Sequence, residues 1–313
     1  MVLPVAARGS ALNDIISRPV GFIGLGNMGW PMAANLARSG RTLIVRDADV
    51  SRQQGFVAEF GAVPAGDPSA FSGVDALVTM LPNGKIVRDV LMEWGVAKAL
   101  PKRALVVDCS SSDPFGTLKL GAELAELGIL LVDAPVSGGM VKAIDGTLSI
   151  MLGTEDEGIA ERAIVVLEAM SARIFRTGGL GTGHAMKAIN NFVLGAGFVA
   201  AAEALVMGGK FGLDPATVVD VLNASSGRNL STETTFVSEI LPRRFAANFT
   251  LALFSKDLGI AADLAGKLGI DAPLCQTVYA RLAEAGAELG WQNDYTKALT
   301  LWERQAGIEL PAR

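Results

Sequence analysis

The chain has 313 residues, half of them hydrophobic and 19% charged, enough for two packed domains and too long for one ordinary core. A net charge of −5 and a pI near 5.1, with no basic run or aromatic–basic stripe, argue against a nucleic-acid partner. Two cysteines, Cys109 and Cys275, are too few for a disulfide framework and point to the reducing cytoplasm.

The first 19 residues carry Arg8 and Arg18 with no apolar run between them, and they read as a loose leader, not a secretory signal. From Pro19 to about Thr177, short β-branched runs alternate with helical stretches. Strands are expected over 20–24, 42–45, 76–80, 104–108, 130–134 and 146–153, and helices over 32–39, 84–93 and 114–127. That alternation predicts a parallel, doubly wound α/β sheet. Beyond Gly183 only helical periodicity remains, over 188–211, 215–223, 253–268, 272–289 and 295–306, with Asp214-Pro215 as a helix start. The expected organisation is a dinucleotide-binding domain over 19–180 and an all-α domain over 181–313. The apolar run 188–208 approaches membrane length but holds Asn190, Asn191 and Glu203, so a buried helix is expected and no membrane partner.

The string Gly24-Leu25-Gly26-Asn27-Met28-Gly29 follows an apolar strand and opens a helix. Its first glycine permits the tight turn, its second lets the backbone approach a pyrophosphate, and its third lets helix and strand pack closely. This is a Rossmann-type fingerprint. Asp47 closes the next strand about 20 residues on, where a carboxylate accepts hydrogen bonds from the adenine ribose and repels a 2′-phosphate. NAD is therefore preferred; Arg46, one residue earlier, offers a partner for the 2′-phosphate of NADP.

Residues Gly181 to Asn191 place Lys187 and Asn191 four apart on one face of a helix, behind a glycine-rich entry. A lysine entering a dry site should titrate nearer neutrality, which suits a proton donor. The plain alternative is a solvated lysine at a helix start, where cations are disfavoured. Inventory strikes out other designs. His184 is the only histidine, so no zinc site can be assembled and no metal is expected. Neither Tyr279 nor Tyr295 has a lysine four residues on. His184 reads as a capping or packing residue. Asp133 to Gly139 ends a strand in Ser137, Gly138 and Gly139, a nest of N–H groups suited to a carboxylate. Ser110, Ser111 and Ser112 stand at the carboxyl edge of a strand, where ligands sit in open α/β sheets. A serine nucleophile there has no base besides His184.

Together these strings resemble the β-hydroxyacid dehydrogenase family, which includes 3-hydroxyisobutyrate dehydrogenase, tartronate semialdehyde reductase and L-threonate dehydrogenase. The matching segments are Gly24–Gly29, Met80-Leu81-Pro82, Asp108–Pro114, Asp133–Gly139 with Gly146-Thr147-Leu148, Gly181–Asn191 and Lys256-Asp257-Leu258. The resemblance implies Lys187 as the acid/base, and Asn191, Ser137, Gly138 and Gly139 as substrate ligands. Leu81, Pro82 and Ser111 would line the nicotinamide side, and Lys256 would reach the cofactor. It also implies a homodimer or homotetramer, and a short 3-hydroxy acid, such as 3-hydroxyisobutyrate, glycerate or threonate, interconverted with its semialdehyde or keto form. Ser111 stands where the family usually has threonine, and Lys142 where it often has a small or acidic residue. Segments 225–229 and 232–236 would close over the substrate. The alternatives are a 6-phosphogluconate dehydrogenase, for which the helical half is short; an imine reductase, which typically lacks the lysine; and a non-catalytic NAD(P)-binding module.

Overall fold

Short apolar runs that end at glycine or aspartate fold as the strands of one mostly parallel sheet. The computed structural model describes residues 2–3 and 19–312, so the leader read over 1–19 falls, apart from residues 2, 3 and 19, outside the described residues. In chain order the strands are β1 Val2–Leu3, β2 Val20–Ile23, β3 Leu43–Arg46, β4 Val63–Pro64, β5 Ala76–Thr79, β6 Leu105–Asp108, β7 Leu130–Asp133, β8 Val136–Ser137, β9 Leu148–Gly153 and β10 Ser171–Gly178. Their order across the sheet is β1-β10-β9-β7-β6-β5-β2-β3-β4, with β8 beside β9. The six strands from β7 to β4 run parallel, and the chain moves outward from β2 to one side and from β5 to the other. That reversal opens a crevice at the carboxyl ends of β2 and β5. The parallel expectation needs one amendment: β9 meets both β7 and β8 antiparallel, because the β8 hairpin returns the chain without a crossover helix.

Helices α1 Gly29–Arg38, α2 Val50–Phe60, α3 Gly84–Arg88, α4 Val96–Ala99, α5 Pro114–Glu126, α6 Gly139–Ile144 and α7 Glu157–Leu167 cover the sheet. One face packs Phe22, Met32, Leu36, Phe56 and Val166 together; the other packs Phe71, Leu77, Leu91, Leu120 and Leu124. Strands buried on both faces carry continuous apolar runs, which is why β2, β5 and β6 were readable. Helices α2 and α7 and strand β10 went unread. Only Gln53 and Phe56 of α2 are buried, so it has no apolar stripe, although Asp49 caps it by accepting from the Ser51 and Arg52 N–H groups.

The remaining helices are α8 Thr182–Phe211, α9 Pro215–Ala224, α10 Leu251–Lys267, α11 Pro273–Leu289 and α12 Ala298–Ala306, with a π-helical stretch at Ser231–Ile240. The chain divides into two units after Lys187, inside α8. The second unit has an aromatic centre in which the Phe198 ring lies 4.8 Å from Tyr295, and Tyr295 4.9 Å from Phe254. Among the described residues α8 is long and apolar enough to cross a membrane by length and composition, yet Phe198, Ala202 and Leu205 are buried in this core. Its Ile189, Val193, Met207 and Phe211 form an exposed apolar stripe.

Candidate functional site

The turn between β2 and α1 is built by steric necessity. Gly24 has φ +102°, and a Cβ there would run into the Met80 carbonyl; a Cβ on Gly29 would meet the Gly24 carbonyl. Among the described residues the only atom close above Gly26 is Nη1 of Arg52, 3.7 Å from where a Cβ would stand, so the backbone is open to a ligand. Helix α1, ten residues long, starts at Gly29 directly behind that opening, with the Trp30 N–H donating to the Gly26 carbonyl at 2.9 Å. Asp47, just past β3, accepts from the Leu25 N–H at 2.5 Å and from the Asp49 N–H at 2.8 Å. Its carboxylate is thus fixed against the glycine turn. Arg46 is turned elsewhere: Nη1 donates to Gln53 Oε1 at 3.2 Å, and the guanidinium lies 5.4 Å over the Trp94 ring. An open cradle, a helix N-terminus and an anchored carboxylate fit a dinucleotide. Arg52, missed in the sequence, adds a guanidinium beside the turn.

At the ends of β5 and β6 one buried carboxylate organises a loop. Asp108 accepts from Thr79 Oγ1 at 2.9 Å, from the Ser110 N–H at 3.0 Å and from Ser112 Oγ at 3.2 Å. The Leu81 N–H donates to Ser110 Oγ at 2.9 Å, which joins the Leu81-Pro82 segment to the loop carrying Ser111.

A second buried carboxylate ends β7. Asp133 accepts from the Gly181 N–H and the His184 N–H, both at 2.7 Å, and so caps the start of α8 from a distant strand. Burial pushes the Asp133 carboxyl above the usual range, while the His184 ring and these two N–H donors pull it back. A Cβ on Gly183 would strike the Met151 carbonyl, so the close approach requires glycine there. The same strand end leads into Ser137, Gly138 (φ +134°) and Gly139 (φ +66°), whose left-handed conformations shape the expected carboxylate loop. The Lys142 stem folds back over Gly138. His184 is more than a cap: its ring is buried, with Nδ1 2.8 Å from Thr117 Oγ1 and Nε2 3.0 Å from the Ser110 carbonyl oxygen. Lys187 follows three residues on, half-buried, at the end of the first unit.

In the second unit the structure brings Asn191 and Lys256 together through Asp257. Asn191 Nδ2 donates to Asp257 Oδ2 at 2.7 Å, and Lys256 Nζ lies 2.9 Å from Asp257 Oδ1. Both Asn191 and Asp257 are nearly closed to solvent. Asp257 lies in the Lys256-Asp257-Leu258 string, but as the partner of Asn191 it is 66 residues away, and no local pattern announces the pairing.

Turn, carboxylate and switch-point crevice define a dinucleotide-binding fold of the oxidoreductase type. Residues 19–179 match the family model described as the NAD-binding domain of 6-phosphogluconate dehydrogenase, and residues 181–302 match that described as the NAD-binding domain of NADP-dependent 3-hydroxyisobutyrate dehydrogenase. The chain is 38% identical to 2-(hydroxymethyl)glutarate dehydrogenase of Eubacterium barkeri, over 93% of this chain and 97% of that one. It is 36% identical to 3-sulfolactaldehyde reductase of Escherichia coli, over 85% and 91%. The solved Mycobacterium tuberculosis 3-hydroxyisobutyrate dehydrogenase with L-serine superposes with a TM-score of 0.83 at 33% identity, over 91% of this chain and 99% of that one. The chain belongs to the β-hydroxyacid dehydrogenase family, and is an NAD(P)-dependent oxidoreductase acting on the CH–OH group of hydroxy acids.

Proposed function

We propose that the chain interconverts a short 3-hydroxy acid with its semialdehyde or keto form, prefers NAD, and moves the reacting proton through Lys187. The observation that carries this reading is Asp133: one buried carboxylate ends the strand that leads into Ser137-Gly138-Gly139 and also caps the helix bearing Lys187. A carboxylate-binding loop and a proton donor are thereby tied to one anchor.

NAD, held by the Gly24–Gly29 turn and Asp47, would supply the hydride acceptor for the carbinol carbon and, when reduced, the hydride donor for the carbonyl carbon. In oxidation Lys187 Nζ, neutral, withdraws the hydroxyl proton; in reduction the ammonium protonates the carbonyl oxygen. The N–H groups of Ser137, Gly138 and Gly139 hold the substrate carboxylate. Asn191, oriented by Asp257, hydrogen-bonds the substrate, and Lys256, held by the same carboxylate, contacts the cofactor. Leu81, Pro82 and Ser111 line the nicotinamide side. Asp47 at the ribose and the commitment of Arg46 to Gln53 and Trp94 support NAD over NADP. The relatives' names, hydroxy acids and an acidic aldehyde, support the substrate class. The exposed stripe Ile189, Val193, Met207 and Phe211 supports a homodimer or homotetramer, and the low cysteine count a cytoplasmic one.

A cofactor-reduction assay over 3-hydroxyisobutyrate, 2-(hydroxymethyl)glutarate, glycerate and threonate, with NAD and NADP compared, tests the reading. Lys187→Ala should lower turnover by about 10³-fold or more while cofactor binding persists; retained turnover overturns the assignment.

A further inference from the structure

His184 is the one histidine of the chain, and its side chain has no access to solvent. Nε2 faces the Ser110 carbonyl oxygen, which only accepts, so Nε2 carries a hydrogen and donates at 3.0 Å. Nδ1 is engaged by the Thr117 hydroxyl, whose Oγ1 also lies 3.1 Å from the Asp113 carbonyl. The carboxylates of Asp108 and Asp133 stand 3.7 and 3.8 Å from the ring nitrogens. With both nitrogens occupied and the ring enclosed, His184 does not reach a substrate.

What it reaches is the scaffold on both sides of the chemistry. The Ser110 carbonyl belongs to the peptide unit that carries the Ser111 N–H, so the Nε2 bond fixes the orientation of that unit. Ser110 also accepts from the Leu81 N–H, so the loop behind Leu81 and Ser111 is pinned as one piece. The His184 backbone N–H is meanwhile bonded to Asp133, which fixes the first turn of α8, one helical turn before Lys187. One residue thus holds the nicotinamide-side loop by its ring and the lysine-bearing helix by its backbone.

We propose that His184 is a positioning residue that sets the nicotinamide-side loop against Lys187, through the Nε2–Ser110 bond. The inference rests on the proposed role of Lys187 and adds to it the element that keeps hydride and proton sites in register. A misplacement of about 1 Å in such an arrangement lowers turnover by as much as about 10²-fold. An apolar side chain would fill the same space but leave the buried Ser110 carbonyl without this donor.

The paired variants His184→Gln and His184→Asn test it, because a glutamine amide reaches the place of Nε2 and an asparagine amide that of Nδ1. Each keeps a polar amide and loses one of the two ring bonds, and melting temperature reads any difference in folding between them. We expect H184Q to hold kcat within about threefold of the parent and H184N to fall by roughly ten- to a hundredfold. Melting temperature and NADH dissociation constant should match between the two, and H184N should show the larger primary deuterium isotope effect with substrate deuterated at the carbinol carbon. Equal kcat in H184Q and H184N overturns the proposal, as does a loss in H184N that tracks melting temperature or NADH affinity. Lys187→Ala is assayed beside them. If it retains turnover the parent reading falls; if it is inactive and H184Q equals H184N, the positioning role alone falls.

Discussion

Each unit buries an aspartate close in the chain or in space to a proposed site residue, and the two carboxylates work through different partners. Asp133 accepts from two backbone N–H groups, so it sets where a helix begins. Asp257 accepts a hydrogen bond from Asn191 and is ion-paired with Lys256, so it sets only how those side chains point. The first fixes a stretch of backbone, and the second fixes side chains alone. Removing the first leaves two buried backbone donors without acceptors, whereas removing the second leaves one buried side-chain donor, on Asn191, and releases the partly exposed Lys256.

The widest effect expected from that contrast is on stability. Asp133→Ala strands two buried N–H groups, each costing about 1–3 kcal/mol, so urea unfolding should show a loss of about 2–6 kcal/mol. A loss below about 1 kcal/mol in that experiment would break the contrast, for then the backbone bonds carry little. Asp257→Asn keeps the volume and an acceptor for Asn191 but removes the charge that holds Lys256. Its kcat/KM should fall about tenfold, worth about 1.4 kcal/mol in the barrier, with an unchanged urea midpoint. If the midpoint falls as far as in Asp133→Ala, Asp257 belongs to the fold as well. The smallest change is expected at the ribose carboxylate. Asp47→Ser keeps an acceptor near the Leu25 N–H but loses the charge, and should narrow the ratio of NAD to NADP affinity by about fivefold, read by fluorescence titration of the reduced cofactors. An unaltered ratio would move the discrimination to another group, with Arg52 the first to test.

The same contrast explains what the sequence disclosed. The Gly24–Gly29 turn and Asp47 are legible because each does its work within a few residues of a strand end, and the glycines are required by contacts that any such turn makes. Parallel strands enclosed on both faces announce themselves as apolar runs, so β2, β5 and β6 were found, while the two-residue strands β4 and β8 and the weakly buried α2 carry no comparable pattern. Lys187 stood out through elimination of other proton donors. The bonds that organise the site were hidden: Asp133 to His184 spans 51 residues, and Asn191 to Asp257 spans 66. One signal was available. The strands LVVD and LLVD both end in an aspartate at the carboxyl edge, and an acid closing a buried strand must find donors somewhere. Which donors it finds is decided by packing, not by neighbours in sequence.

The two cysteines give each unit its own clock. Cys109 lies in the core of the first unit and Cys275 in a small buried cluster of the second, with Ala188, Ala261 and Ala262, and both thiols are held above their ordinary pKa by burial. A thiol-specific reagent reacts with the thiolate, so neither should be modified until its surroundings open. Peptide-resolved alkylation in native buffer therefore follows the breathing of the two halves separately, without a label or a substitution. Added NAD should slow the Cys109 clock, since Cys109 immediately precedes Ser110, and any change in the Cys275 rate reads the response of the second unit.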